Sequence, residues 1–138
     1  MILIDSNILI DVVGNDPEWR PWATDQIALL AADHELRINL VILAEVAPRM
    51  GSLEIFYQQM AMLDIEMDDI TDAAAFKAGL AFQAYRRNKG SAPAVLPDFL
   101  IGGHAQSTGS AILTRDPRFY RSYFPGVPLI TPSKDQYD

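Results

Sequence analysis

Short apolar segments alternate with longer segments of helical periodicity along most of this chain, and this alternation restricts its fold more than any other feature. The first segment, Ile2–Ile4, is continuously apolar, as in a central strand covered on both faces. Further strands are predicted at Leu36–Leu40, Ile65–Met67, Ala111–Leu113 and Val127–Ile130. Strands separated by helices require crossover connections, which favour parallel pairing. The sequence therefore predicts an α/β fold, with three α/β/α layers and a mostly parallel sheet of about five strands.

Helical periodicity and capping signals predict the segments between these strands. The predicted helices cover Ile8–Val12, Pro21–Ala32, Ile42–Ala47, Leu53–Leu63, the segment from Thr71 to just before Gly90, and a last helix that starts at Pro97. Ser6 or Asn7 is the expected cap of the first helix, and Thr71 caps the fifth. Pro48 should interrupt the third helix. A flexible loop is expected at 91–97.

The composition bounds the class of protein. The chain has 138 residues, which predicts a single domain over 1–138 whose core needs no disulfide or structural metal. It contains no cysteine, which excludes disulfide frameworks, thiolate metal sites and cysteine catalysis, and fits a cytoplasmic protein. The first residues lack the features of a signal peptide, and no apolar run approaches the length of a membrane span. We therefore expect no membrane association.

The charge distribution bears on nucleic-acid binding. The net charge is −7, and phosphate contacts need Lys and Arg, so the overall balance argues against a nucleic-acid binder. Six of the eleven basic residues nevertheless fall between positions 86 and 121, namely Arg86, Arg87, Lys89, Arg115, Arg118 and Arg121. Each of them alone is more simply a solvated surface charge. The basic region leaves a nucleic-acid contact open.

The segment VLPDFLIGGHA places an acid at the start of a helix. Ile101 and Ala105 follow Asp98 at helical spacing, so this acid heads a face that should be buried. The simpler explanation is that Asp98 complements the helix dipole. Two glycines inside a helix are unfavourable, which predicts close packing at Gly102 and Gly103 and lets this helix lie close to the sheet.

Four acids on separate elements are expected to meet at one edge of the sheet. In open α/β sheets, ligands bind beyond the carboxyl ends of the strands, and Asp5 directly follows the first strand. Asp116 comes shortly after the strand Ala111–Leu113. Glu45 shares a helical face with Val41 and Ile42, residues that should point at the sheet. Together with Asp98, these acids form the predicted site: Asp5, Glu45, Asp98 and Asp116.

Several ionised carboxylates cannot lie close together without a cation or bound protons. Ligation by oxygen alone, with no cysteine and no nearby histidine pair, favours Mg²⁺ or Mn²⁺ over Zn²⁺. Such an ion can activate a water and stabilise the charge on an attacked phosphoryl group. Hydrolysis of a phosphodiester is the resulting hypothesis.

These motifs, in this order and spacing, resemble those of a known family. The segments are ILIDSNILID at the start, AEV around Glu45, DFLIGGHA at Asp98, AILTRDPRF and the following VPLITP. They resemble the PIN-domain ribonucleases, and in particular the VapC-type toxins of bacterial and archaeal toxin–antitoxin pairs. The resemblance covers nearly the whole chain.

The resemblance implies a metal-dependent endoribonuclease in which the same four acids hold Mg²⁺ or Mn²⁺. Asn7 and Thr114 match polar positions that border such a site, and a supporting role in hydrogen bonding follows for them. The resemblance also implies a homodimer and a cognate antitoxin, typically a DNA-binding protein whose tail occupies the site. A basic partner segment would suit a chain with a pI near 4.6.

Other polar and aromatic residues near these motifs have competing interpretations. Arg115, Arg118 and Arg121 flank Asp116, so we predict that they contact the RNA backbone. Six aromatic residues could stack on unpaired bases, although core and dimer packing explains them more simply: Trp19, Trp22, Phe119, Tyr120, Tyr123 and Phe124. His104 lies on a different helical face from the acid of its own helix, which favours a packing or surface histidine over a catalytic base.

Three alternatives to a nuclease can be compared with the residues. A phosphatase of the haloacid dehalogenase type needs a second aspartate two residues after Asp5, where this chain has Asn7. A receiver-type signalling domain needs a lysine after a late strand, where this chain has Thr114 and Arg115. A PIN-like module that binds RNA or protein without cutting needs no acids, and the presence of all four disfavours it.

Overall fold

Five parallel strands form the centre of the computed structural model, which describes residues 1–89 and 96–132. The strands are β1 (Ile2–Ile4), β2 (Leu36–Ile38), β3 (Ile65–Met67), β4 (Ala111–Leu113) and β5 (Leu129–Ile130). Their order is β3-β2-β1-β4-β5, and every neighbouring pair is parallel. Ile2 is in register with Leu36 on one side and with Ala111 on the other. The prediction of an α/β fold with a parallel sheet is confirmed.

Helices cover both faces of this sheet. Within the described ranges they are α1 (Ser6–Val13), α2 (Arg20–Ala31), α3 (Leu40–Val46), α4 (Leu53–Met62), α5 (Asp72–Lys89), α6 (Leu96–Thr108) and α7 (Arg118–Tyr123). From β1 to β3 the strands are added towards one edge of the sheet, and from β3 to β5 the chain moves towards the other edge. Because these crossovers are right-handed, α1–α4 lie on one face of the sheet and α5–α7 on the other. Helix α1 packs on α2 and α3, and α6 packs on α5 and α7. None of these described helices is long and apolar enough to cross a membrane.

Two helices begin earlier than the sequence predicted, because polar side chains at the strand ends cap them. Asp5, rather than either residue after it, caps α1, and its Oδ1 accepts a hydrogen bond from the backbone N–H of Ser6 at 2.8 Å. Asn39 caps α3 with its Oδ1, which accepts from the N–H of Ile42 at 3.0 Å. The predicted extension of β2 to Leu40 was therefore wrong, because a side chain that caps a helix also ends the strand before it.

The remaining boundaries follow their local signals, with two exceptions. Thr71 accepts a hydrogen bond from the N–H of Ala74 at 3.1 Å, which confirms the predicted cap of α5. Pro48 does interrupt the third helix, which continues as a 3₁₀ helix over Ala47–Met50. The exceptions are α7, whose six residues begin directly after Pro117 and were not predicted, and β5, which begins at Leu129 instead of the predicted Val127. The predicted helix end at Gly90 and the loop at 91–95 lie outside the described residues.

Helix α6 makes the close contacts that its paired glycines predicted. Pro97 lies in its first turn. A Cβ atom on Gly102 would lie 2.3 Å from the ring of Phe124, and one on Gly103 would lie 2.9 Å from the carbonyl oxygen of Ala74. These neighbours belong to the segment after α7 and to α5. The prediction that the glycines bring α6 close to the sheet was therefore wrong, because they make room for an aromatic ring and for a neighbouring helix instead.

Aromatic side chains fill the space between α5, α6 and α7. Phe99 is fully buried, and its ring centroid lies 5.4 Å from that of Phe82, 5.5 Å from that of Tyr85 and 4.9 Å from that of Phe119. Tyr123 joins the same cluster at 5.3 Å from Phe99. Edge-to-face and tilted pairs at these separations are favourable. The aromatic residues of this region therefore pack within the protein, as their simpler interpretation predicted.

Candidate active site

The sheet order places the topological switch point between β1 and β4. From β1 the chain passes to β2 on one side, while β4 lies on the other, so the connections diverge at the carboxyl ends of these strands and leave a crevice. A pocket of about 230 Å³ opens near the end of β1, and its lining consists of Asp5, Ser6, Asn7, Ile10, Glu45, Asp98, Asp116 and Tyr120. The structure thus brings together all four acids that the sequence analysis singled out.

Asp5 is the buried carboxylate of this pocket. It is 6% exposed, and its Oδ2 accepts hydrogen bonds from Thr114 Oγ1 at 2.8 Å and from the Tyr120 hydroxyl at 3.1 Å. Its Oδ1 accepts from the N–H of Ser6. Burial raises the pKa of Asp5, with a smaller contribution from Glu45, and the three hydrogen bonds oppose this rise. These bonds hold the carboxylate in one orientation.

Glu45 lies at the rim of the pocket. Ile42 and Val46 form the buried stripe of α3, and Glu45 lies beside that stripe as an exposed residue. The prediction that it points inward at the sheet was wrong, because a seven-residue helix at the sheet edge buries only one narrow stripe. Its Oε1 nevertheless accepts a hydrogen bond from Ser6 Oγ, which ties α3 to the start of α1.

Asp98 lies in the first turn of α6 and is half-buried. The small and apolar residues that follow it at helical spacing are buried, as predicted. Burial and then repulsion from Asp5, Glu45 and Asp116 raise the pKa of Asp98 to about 6. The four carboxylates, from four separate segments of the chain, all line the same pocket.

Asn7 and Thr114 connect the ends of β1 and β4. Asn7 Nδ2 donates to Thr114 Oγ1 at 3.2 Å, and Asn7 Oδ1 accepts from the N–H of Arg115 at 3.1 Å. Thr114 is fully buried, and its Oγ1 also accepts from the N–H of Asp116 at 3.1 Å. Through these bonds the two polar residues position Asp5 and the loop that carries the exposed Asp116.

Tyr120 and Ser6 belong to the pocket, but the sequence analysis did not place them there. Tyr120 was interpreted as a packing aromatic, and its ring is indeed buried at 2% exposure. Burial, followed by the charges of Asp5 and Asp98, raises the pKa of Tyr120 well above its ordinary value, so its hydroxyl remains a donor. A buried tyrosine hydroxyl needs a partner, yet nothing in the sequence shows which one. Ser6 was considered only as a helix cap.

Arg115 is bound within the protein. Its Nε and Nη2 donate to the two carboxylate oxygens of Asp11 at 2.7 and 3.0 Å, and its guanidinium carbon lies 5.0 Å from the ring centroid of Trp19. The Asp11 side chain is only 4% exposed, so the pair neutralises a buried charge. Arg115 therefore holds the loop after β4 against α1, while the RNA contact predicted for it stays a prediction. Arg118 and Arg121 are exposed on α7.

Comparison with known families decides the classification. The model of the PIN domain family matches residues 2–125. This chain belongs to the PIN domain family. None of the curated proteins compared with it matches.

Solved structures share the fold of this PIN domain. VapBC2 from Rickettsia felis, bound to a promoter DNA fragment, is similar with 21% identity and a TM-score of 0.70, over 95% of this chain and 98% of the other. DNA-bound VapBC from Salmonella typhimurium has 24% identity and a TM-score of 0.70, over 94% and 96% of the two chains. A toxin–antitoxin complex from Klebsiella pneumoniae has 25% identity and a TM-score of 0.64, over 96% and 98%.

The pocket of this PIN domain carries the donor set of a hard divalent cation. Its lining supplies carboxylate, hydroxyl and amide oxygens, with no sulfur and no imidazole. Burial and then repulsion among the acids raise the pKa of Asp98, and a bound cation would relieve that repulsion. Within 1–89 and 96–132, no three His, Cys, Asp or Glu side chains are already grouped around one ion position. Glu45 and Asp116 are exposed, so packing does not fix their rotamers, whereas Asp5 is held by hydrogen bonds.

Proposed function

We propose that this protein is a metal-dependent endoribonuclease that hydrolyses RNA phosphodiester bonds and acts as the toxin of a toxin–antitoxin pair. The observation that carries the proposal is the convergence of four carboxylates on one pocket at the switch point of a PIN-domain sheet. The similar solved structures support it, because they are VapBC assemblies and a toxin–antitoxin complex.

In this proposal Mg²⁺ or Mn²⁺ is held by Asp5, Glu45, Asp98 and Asp116. When bound, such an ion lowers the pKa of a coordinated water and neutralises charge on the attacked phosphoryl group. Asp5 is the ligand of fixed orientation, and its Oδ1, with one hydrogen bond, keeps acceptor capacity for an ion. Glu45 and Asp98 come from α3 and α6, on opposite faces of the sheet, so the site exists only where both helical layers meet.

The other residues of the proposed site position ligands or RNA. Thr114 and Tyr120 donate to Asp5 Oδ2, so they stabilise the ionised form of a buried carboxylate against desolvation. Arg118 and Arg121 lie exposed on α7, a few residues after Asp116, and we assign them to the RNA phosphate backbone. On this assignment, these two arginines supply the positive charge that an RNA strand needs near a strongly acidic pocket.

We also infer a cognate antitoxin and a homodimeric state. The chain carries a net charge of −7, and its exposed pocket is acidic, so a basic antitoxin segment complements it. Light scattering over a range of concentrations tests the dimer. A monomer at every concentration would contradict that part of the proposal.

The nuclease proposal is tested by incubating the purified protein with a mixed RNA pool, in Mn²⁺ and in chelator. We expect cleavage by the wild type and by Asp25→Asn, an exposed acid on α2 that serves as the matched control. Asp5→Asn should not cleave, because it lacks the buried ligand. Cleavage by Asp5→Asn at the wild-type rate would identify a contaminant. No cleavage by a folded sample free of partner protein would favour a binding module without nuclease activity.

A further inference from the structure

His104 is a buried histidine of α6 that does not line the pocket. It is 1% exposed, so of the packing and surface positions that the sequence favoured, the structure shows the buried one. Both of its ring nitrogens are hydrogen-bonded, one to Asn39 at 2.9 Å and the other to Asp68 at 2.7 Å. These two bonds satisfy the buried ring and tie α6 to the segments that follow β2 and β3.

The hydrogen-bond roles of this histidine follow from its neighbour. Asn39 Oδ1 is already engaged as the helix cap, accepting from the N–H of Ile42 at 3.0 Å. The group that faces His104 Nδ1 is therefore the Asn39 amide Nδ2, a donor, so Nδ1 is the acceptor. The proton of the ring then lies on Nε2 and is donated to Asp68 Oδ2. Asn39 cannot reverse its amide without losing the cap of α3.

The Asn39–His104 bond joins the two helices that carry Glu45 and Asp98. Asn39 caps α3 six residues before Glu45, and His104 lies on α6 six residues after Asp98. At a helical rise of 1.5 Å per residue, the bond is about 9 Å along each helix from the acid that the helix carries. These helices come from opposite faces of the sheet and border each other beside the pocket. A shift of one helix against the other would change the separation of the two carboxylates.

We propose that His104 is a positioning residue, which sets the placement of Glu45 relative to Asp98 through its bond to Asn39. This inference rests on the proposed function, since it assumes that both acids bind one metal site. The bond to Asp68 has a different effect, because Asp68 follows β3 and its side chain is 33% exposed. That bond attaches α6 to the sheet edge without involving either acid.

Two isosteric variants separate the two bonds. In His104→Asn, the amide oxygen replaces Nδ1 and keeps an acceptor for Asn39, while the contact with Asp68 is lost. In His104→Gln, the longer side chain reaches the position of Nε2 and keeps the contact with Asp68, while the bond to Asn39 is lost. Ile27→Val, in the buried face of α2, is a control for lost stability without a change at this bond.

The readout is the Mn²⁺ dissociation constant, measured by calorimetry without RNA and well below the Tm of every variant. We expect His104→Gln to weaken Mn²⁺ binding by about tenfold, the lower end of the range for residues that hydrogen-bond metal ligands directly, because His104 acts through Asn39 and α3. His104→Asn and Ile27→Val should stay within about twofold of the wild type. If His104→Gln does not fold, Asn39→Ser replaces it, because serine can cap α3 but is too short to reach His104.

Equal Mn²⁺ affinities in His104→Gln and His104→Asn, whether both unchanged or both reduced, would overturn the inference. Failure of the proposed function gives a different pattern. If the wild type binds Mn²⁺ but cuts no RNA, the nuclease proposal fails while the affinities of the variants still decide the role of His104. If the wild type binds no Mn²⁺, both proposals are refuted.

Discussion

Replacement of Gly102 by alanine tests whether α6 is held in place by its contact with Phe124. The added Cβ would lie 2.3 Å from two atoms of the phenylalanine ring, more than an ångström inside normal contact. The ring cannot move away easily, because Phe124 is 2% exposed and its centroid lies 6.0 Å from that of Phe99 and 6.2 Å from that of Phe119. The substitution therefore forces either the ring or α6 to shift.

Two opposing contributions set the size of the effect. Overpacking of a buried site destabilises by about 1–3 kcal/mol, and an overlap this deep belongs at the upper end of that range. Alanine in place of glycine inside a helix stabilises by about 1 kcal/mol. We therefore expect Gly102→Ala to lower the free energy of unfolding by about 2 kcal/mol. For a chain of this length, the corresponding loss in Tm is about 6 °C.

Gly79→Ala is the matched control. Gly79 lies inside α5, and a Cβ there would meet no atom within 4 Å. This variant gains the helix propensity without the overlap, so we expect it to raise the free energy of unfolding by about 1 kcal/mol. Urea and thermal unfolding of both variants give the comparison. If Gly102→Ala were as stable as Gly79→Ala, the close contact with Phe124 would be refuted.

Further predictions concern charge. Because folding raises the pKa of Asp98 from 3.8 to about 6, the folded state holds this proton more tightly than the unfolded chain does. The stability that this group contributes is fully present below about pH 3.8 and is lost as the pH rises through about 6. At neutral pH in chelator, Asp98→Asn should therefore have a higher Tm than the wild type, and the difference should vanish in acid. A difference that does not change with pH would contradict this. Arg115→Ala leaves the buried Asp11 unpaired and should lower the free energy of unfolding by about 3 kcal/mol. Arg118 is exposed, so Arg118→Ala should change that free energy by less than about 0.5 kcal/mol but should weaken RNA binding in a salt-dependent way. Equal stability of these two variants, or a salt-independent loss of binding, would oppose the assignments. Mn²⁺ at a hundred times its dissociation constant should stabilise the wild type by about 2.7 kcal/mol and Asp5→Asn much less, as measured by thermal unfolding; equal shifts would place the metal elsewhere.

Features encoded by local pattern could be predicted from the sequence. The strands are short apolar runs, and their order along the chain with helices between them determines a parallel sheet. Asp5 and Thr114 were correctly placed at strand ends, because the strand pattern stops where they occur. Asp98 was correctly placed at the start of a helix with a buried face, since helical periodicity determines which residues share its side.

Features that depend on distant partners could not be predicted. Arg115 was predicted to contact RNA because it flanks Asp116, but its ion pair with Asp11 could not be foreseen, since Asp11 lies 104 residues earlier and no local pattern covers that separation. Glu45 shares a helical face with buried residues, but periodicity does not show how much of a short helix the sheet covers. Tyr120 could be recognised as buried, whereas its hydrogen bond to Asp5 depends on the position of α7, a helix that the sequence did not reveal.

The long separation of the contacts to Asp5 has a consequence for the synthesis of this protein. Asp5 is made before its hydrogen-bond donors Thr114 and Tyr120, which follow 109 and 115 residues later. At the usual rate of translation, at least several seconds pass between the synthesis of Asp5 and the synthesis of its donors. A nascent chain shorter than this therefore cannot assemble the pocket, and every fragment that stops before Tyr120 lacks the fixed carboxylate. The pocket is therefore completed only once Tyr120, the last donor to Asp5, has been made.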